Sequence, residues 1–302
     1  MAAGKRRYAQ GSGATGVNLD RAFADLRPAM LALAYRITGS RADAEDIVQD
    51  TFLRLHRAEP DEAVRSLKAY LATITARLSL NRLRDQRARR ETYIGEWLPE
   101  PVLSEDESEV RAEDVSFAFL VVLERLAPVE RVVFVLRTAF ELDFATISSA
   151  VRRDAVTCRK IFSRAKARVL EARPRFAVDR EQHRALMRDF VEAVREQNMD
   201  KLVSLLADDV VLHGDGGGKA LATKKPVIGR IEVARFMLAV TRAQPPETVV
   251  EEIDINGAAA IVVKVPGRVT AAIMIDTDGQ HIRAIFGVAN PDKLTSLARL
   301  AS

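Results

Sequence analysis

The chain has 302 residues, of which 46 are Lys or Arg and 42 Asp or Glu, for a formal net charge of +4. A hydrophobic share of 48% beside 29% charged residues excludes wholesale disorder, and the length exceeds one ordinary domain. No apolar run reaches the roughly 18 residues of a membrane span, and a single cysteine, Cys158, excludes a disulfide framework or a cysteine-rich zinc site. No secretory signal pattern opens the chain, so a cytoplasmic location with no membrane partner is expected. The charges are unevenly shared: residues 179–302 hold 16 basic and 17 acidic residues, leaving 30 and 25 for residues 1–178.

Residues 1–18 are rich in small residues, carry a Lys5-Arg6-Arg7 cluster, and read as a flexible tail; a nucleic-acid arm is the alternative. From Leu19 to Arg90 the pattern is helical. In Asp43–His56 the apolar residues Val48, Phe52 and Leu55 fall at i, i+4 and i+7. A turn of about 100° per residue sets Asp43, Asp46 and Asp50 on the opposite face. Such a face is either a solvated exterior or a surface kept for a basic partner. Like charges without Lys at i+4 add nothing to helix stability, which favours the partner.

The next helix, Ser66–Arg90, buries Leu67, Leu71, Ile74 and Leu78, and residues 67–90 carry seven basic residues against one acidic. Tyr70, Arg77, Asn81 and Arg84 run alongside, followed by Arg87, Arg89 and Arg90. An aromatic ring among guanidinium groups suits unpaired DNA, which needs a stacking platform and backbone neutralisation; Tyr70 can equally be a core-edge aromatic. LALAYRITGSRADAEDIVQDTFLRLHR followed by LKAYLATITARLSLNRLRDQRARR resembles region 2 of the extracytoplasmic-function sigma factors of bacterial RNA polymerase. The resemblance implies that Asp43, Asp46, Gln49 and Asp50 dock on the clamp helices of the polymerase largest subunit. It also implies that Tyr70, Arg77, Asn81, Arg84 and Arg87, with the loop Ala58–Arg65, capture and melt the −10 promoter element. Tyr70 stands where the family often has Trp.

A linker over 93–114 follows, and its stretch 99–114 holds seven acidic residues and one basic. Helical periodicity resumes over 115–176. Pro128 with Glu130 marks a helix start. The helix Ala155–Leu170 turns Cys158, Ile161, Phe162, Ala165 and Val169 inward and Arg159, Lys160, Ser163 and Arg164 outward. A basic-faced helix preceded by a helix and a short turn is the layout of a major-groove reader, with a plain helical bundle as the alternative. LAPVERVVFVLR, FATISSAV and TCRKIFSRAKARV are similar to sigma region 4, which implies that Arg159, Lys160, Ser163 and Arg164 read the −35 element. The turn Val151–Asp154 lacks the family's frequent glycine.

Residues 179–302 change character: helical pieces at 181–198 and 199–207 precede β-type runs at Val210–His213, Thr248–Ile255, Ala259–Val265, Val269–Ile275 and His281–Val288. This order resembles the SnoaL-like cone-shaped α+β fold. Two motifs resemble those of the sigma subgroup with a fused SnoaL-like extension: Asp215-Gly216-Gly217-Gly218-Lys219, and Asn290-Pro291-Asp292-Lys293-Leu294, read as a turn opening a terminal helix. The glycine run lacks the GxxxxGK[ST] phosphate-loop pattern; it permits φ > 0 and close backbone approach, as a loop packed on another domain requires. His213, Asp215 and His281 are candidate acid/base residues for an enzymatic domain.

The expected architecture is therefore two all-α domains followed by an α+β SnoaL-like domain, in a monomeric sigma factor that needs no cofactor, metal or catalytic residue of its own. Its C-terminal domain stands in for a separate anti-sigma factor, as the resemblance implies. The rival readings are a SnoaL-like enzyme with a DNA-binding appendage and an ordinary ligand-sensing helix-turn-helix regulator.

Overall fold

The computed structural model describes residues 13–58, 66–104, 116–172 and 178–301, with 13–19, 58, 87–89, 172 and 301 described by backbone alone. Ten α-helices and six strands lie in these segments: α1 Gly13–Thr38, α2 Arg41–Ala58, α3 Leu67–Glu91, α4 Phe117–Glu124, α5 Pro128–Ala139, α6 Phe144–Val151, α7 Ala155–Ala172, α8 Arg180–Arg195, α9 Met199–Leu205, β1 Leu206–Asp215, β2 Val227–Ile228, α10 Arg230–Arg242, β3 Val249–Ile255, β4 Ala258–Val265, β5 Arg268–Thr277 and β6 Ile282–Val288. The helix over 13–18 corrects the reading of that stretch as tail; residues 1–12 lie outside the described residues.

The first seven helices share one apolar core running from Phe23 and Tyr35 through Leu71 and Phe134 to Cys158 and Val169. Local chemistry sets the helix boundaries. The Ser66 hydroxyl accepts from Ala69 N at 3.2 Å to open α3. Pro128 opens α5, where the Glu130 carboxylate accepts from Ala127 N at 3.1 Å. The turn between α6 and α7 does without glycine because Arg152 takes the left-handed conformation at φ 55°. Asp154 then caps α7, accepting from Thr157 N at 2.8 Å and Thr157 Oγ1 at 2.6 Å. Cys158 is fully buried on the inner side, where desolvation raises its thiol pKa; it is a small core residue.

The remaining strands form one sheet in the order β2-β1-β6-β5-β4-β3, antiparallel except for the β1–β6 pair. The β3–β4 hairpin turns on Asn256-Gly257, both at positive φ (52° and 77°), the two-residue turn whose twist matches the strands. One face of the sheet carries α8, α9 and α10, with Met187, Phe190, Val233 and Met237 packed on Val210, Ile261 and Ile285. The other face is covered partly from outside the domain and partly by its own C-terminal turns. Leu98 and Leu103 of the linker, Phe117 of α4, and Leu294 and Leu297 near the C-terminus pack on Val262, Met274, Phe286 and Val288. Helix α10 lies in the stretch between the predicted β-runs. The predicted terminal helix after Asn290 is instead a pair of 3-10 turns, Pro291–Lys293 and Thr295–Ala301.

Candidate functional site: a linker clasp and three candidate binding faces

The two C-terminal motifs meet on the segment Tyr93–Leu98, directly after α3. Asp215 ends β1 with no exposed surface, and its carboxylate accepts from three donors: Leu98 N at 2.8 Å, Lys293 Nζ at 2.7 Å and the Tyr93 hydroxyl. Lys293, buried to 7% exposure, also donates to the Leu98 carbonyl and lies 3.5 Å from the centroid of the Trp97 ring. Burial draws the Lys293 ammonium below the usual lysine range against the opposing pull of Asp215. Asn290 Nδ2 donates to the Tyr93 hydroxyl at 2.7 Å, and burial followed by the bond to Asp215 keeps that phenol protonated well past its ordinary range. A charge pair removed from water is costly unless fully hydrogen-bonded, and this one is.

The glycines explain how the loop comes this close. Gly217 and Gly218 sit at φ 59° and 71°; a Cβ on Gly217 would meet the Asn290 side chain, and one on Gly218 would lie 2.9 Å from Ile94 Cδ1. Lys219 and Asp292 pair at 2.5 Å at the exposed rim, and Leu294 is buried against the sheet. His213 directs Nδ1 to Glu96 at 3.0 Å and stacks on Phe286. His213 and Asp215 thus lie on the linker-covered face, and His281 is exposed at the start of β6. The three acid/base candidates do not converge.

Beyond Leu98 the linker stays bound. Asn256 N donates to the Val102 carbonyl at 2.9 Å, and Leu103 bridges Ile255. Asn256 Nδ2 donates to the hydroxyl of Tyr35 on α1 at 3.0 Å, and that hydroxyl donates to the Glu100 carbonyl at 2.6 Å. Glu100 turns its carboxylate on the start of α2, accepting from Arg41 N at 2.8 Å; burial raises its pKa. The hairpin tip, the linker and the first helix pair therefore meet at one buried joint. A second chain of contacts runs inward: Arg90 stacks on Trp97 and pairs at 2.5 Å with Glu124, which also pairs with Arg131 at 2.7 Å. Burial alone would raise the Glu124 pKa, but the two guanidinium groups hold it below the carboxylate range.

On the polymerase-facing candidate surface Asp46, Gln49 and Asp50 are exposed. Asp43 is less so, because Arg82 of α3 reaches it at 3.1 Å and Asp46 at 3.4 Å, while Gln86 donates to the other Asp43 oxygen. The unpaired acidic face expected from i+4 spacing is thus partly neutralised from the neighbouring helix. Asn81 and Arg84 are exposed, whereas Tyr70 packs half-buried at the edge of the helical core. Arg77 donates to the Ser149 carbonyl of α6. The Arg87 side chain and the loop 59–65 lie outside the described residues. On α7, Arg159, Lys160, Ser163 and Arg164 form one exposed face, with Arg159 over the Phe144 ring.

The sequence reading missed the linker. Tyr93, Glu96, Trp97, Leu98 and Glu100 lie in or beside a stretch read by its charge. The signal that could have found them is the apolar, proline-punctuated run Trp97-Leu98-Pro99-Glu100-Pro101, holding the chain's single tryptophan. Among the described residues there is no group of three His, Cys, Asp or Glu placed to hold a metal, and no helix long and apolar enough to cross a membrane.

Comparison with known proteins agrees with this architecture. The family model of sigma-70 region 2 matches residues 22–89, and that of the SnoaL-like domain matches residues 187–289. The chain is 36% identical over 292 residues to the ECF RNA polymerase sigma factor SigJ of Mycobacterium tuberculosis (strain ATCC 25618 / H37Rv), covering 90% of this chain and 92% of SigJ. It is 31% identical over 277 residues to the probable ECF sigma factor SigI of Mycobacterium tuberculosis (strain CDC 1551 / Oshkosh), covering 90% and 93%. The crystal structure of Mycobacterium tuberculosis SigJ superposes with a TM-score of 0.74 at 33% identity, over 92% of this chain and 98% of that one. Helical sigma domains followed by a SnoaL-like domain on a six-stranded sheet define the class of protein. Within that class, the chain belongs to the extracytoplasmic-function RNA polymerase sigma factors, and its function is that of a sigma factor with a C-terminal SnoaL-like domain.

Proposed function

We propose that this sigma factor engages core RNA polymerase through Asp46, Gln49 and Asp50, with Asp43 beside them, and reads promoters with two surfaces. Tyr70, Arg77, Asn81, Arg84 and Arg87 serve the −10 element, and Arg159, Lys160, Ser163 and Arg164 serve −35. The SnoaL-like domain acts on transcription as a regulator rather than as an enzyme, in place of a separate anti-sigma protein. The observation that carries this reading is the buried bond of Lys293 and Asp215 to the Leu98 backbone. It fastens the last domain to the chain that joins the two promoter-reading parts, so opening the clasp would free that linker. The non-enzymatic reading draws support from His213 and Asp215, both spent on the linker, and from His281, which stands exposed at the start of β6.

The test is transcription in vitro with core polymerase, comparing the full chain with Lys293→Ala and with Asp46→Ala/Asp50→Ala. The clasp variant is expected to bind core polymerase normally and to change promoter output. The acidic-face variant is expected to lose core binding. Unchanged output from the first, or unchanged affinity of the second, would sink the corresponding half of the proposal.

A further inference from the structure

Apart from the clasp, a pocket of about 400 Å³ opens where the first turn of α4, the start of α8, the β3–β4 hairpin and the end of β5 come together. Phe117, Val178, Ile255 and Met274 give it an apolar wall, and Asp276 lines it from β5. Of the other ionisable groups lining it, Arg184, Asp254 and His183 already have partners. Arg184 is held by Glu252 at 2.9 Å and Asp254 at 2.7 Å. Arg283, the cation that acts on Asp276 through space, is shared between Asp209 at 3.1 Å and Asp278 at 3.7 Å. His183 places Nε2 3.2 Å from the Ile275 carbonyl, and burial lowers its pKa. Arg180 stands exposed at the mouth.

Asp276 is thus a largely desolvated carboxylate beside an apolar wall, with no ammonium or guanidinium paired to it among the described residues. Burying a charge without a partner is unfavourable, and desolvation here lifts the carboxyl to about 6. A cation brought in from outside would relieve that cost. We propose that this pocket binds a small primary ammonium ligand with an apolar body, the ammonium group on Asp276 and the body against Phe117 and Met274. The volume lies in the range of small-molecule sites. Because its walls come from α4 and from the SnoaL-like domain, an occupant touches both halves of the molecule at once.

The experiment uses the full-length protein and titrates phenethylamine and its neutral counterpart phenethyl alcohol calorimetrically at about pH 7.5, where Asp276 is ionised. Saturable binding of the amine in the millimolar range or tighter is expected, with the alcohol at least about tenfold weaker. Asp276→Asn removes the charge and is expected to cost the amine about tenfold or more in affinity. Ala118→Leu fills the pocket from α4 without touching the carboxylate and is expected to abolish binding. No saturable binding of the amine, equal binding of the alcohol, or undiminished binding by Asp276→Asn would each overturn the proposal.

Discussion

Arg77 of α3 donates through both Nε and Nη2 to the carbonyl of Ser149, at 3.2 and 2.6 Å, and so fastens a candidate −10 contact to the last turn of α6, 72 residues away. The same seam holds Lys68 over the Phe140 ring and Tyr70 half-buried at the core edge. In this packed arrangement the surface assigned to single-stranded DNA is partly occupied by the chain itself.

Replacing Arg77 with Ala is therefore expected to have two effects. It should weaken the α3–α6 seam by about 1 kcal/mol, the lower range for a partly exposed charge-assisted bond. It should also reduce strand opening at −10. Urea unfolding and permanganate footprinting with core polymerase read the two separately.

The clasp has a built-in reporter, because Trp97 is the only tryptophan in the chain and lies between Lys293 and Arg90. Lys293→Met leaves Asp215 buried with one donor fewer, and is expected to cost about 3 kcal/mol. Pairing it with Asp215→Asn should cost less than the sum of the two single changes, since neither charge is then stranded. Trp97 emission, followed through denaturant unfolding, should shift to the red at lower denaturant in each single variant.

Gly217 and Gly218 separate backbone strain from crowding. Alanine at Gly218 meets Ile94, a half-exposed side chain that can turn aside, so only the left-handed backbone cost of about 1 kcal/mol is expected. Alanine at Gly217 meets Asn290, which is 3% exposed and already bonded to Tyr93 and Asp292 N. The Gly217 variant should therefore lose the clasp first, seen as faster hydrogen exchange at the Leu98 amide.

Asp276 gives stability a pH signature. Its carboxyl is lifted by burial from 3.8 to about 6, so the folded state holds a proton that the unfolded state releases between those values. The resulting stabilisation is full below about pH 4 and lost as pH rises through about 6. Asp276→Asn should flatten that dependence and be up to about 3 kcal/mol more stable near neutrality, at 1.36 kcal/mol per pH unit. Thermal unfolding of both proteins between pH 4 and 8 checks the slope.

Elements governed by short-range periodicity were legible in the sequence. The α2, α3 and α7 stripes and five of the six strands lie close to where spacing put them, because one buried face fixes each. Helix α10 was readable by the same rule, with Val233, Ala234, Met237 and Leu238 at helical spacing, yet it sits in a stretch to which no element was assigned. The linker was obscured for a different reason. Its charge marked it only as an acidic linker, but Glu100 is buried because it caps α2 from 59 residues away, and no local pattern announces a long-range cap. Arg82 hid from the i+4 test likewise, since it reaches Asp43 from the neighbouring helix α3.

The cover that Leu98, Leu103 and Phe117 lay over the sheet works in both directions. Cutting the chain before α8 would do more than remove the SnoaL-like domain. It would bare three large apolar side chains beside the sigma helices, along with an Asn256-shaped gap at Tyr35. A shortened protein would thus be stickier whatever the SnoaL-like domain does to transcription, and point substitutions that open the clasp while leaving the sheet in place separate the two effects.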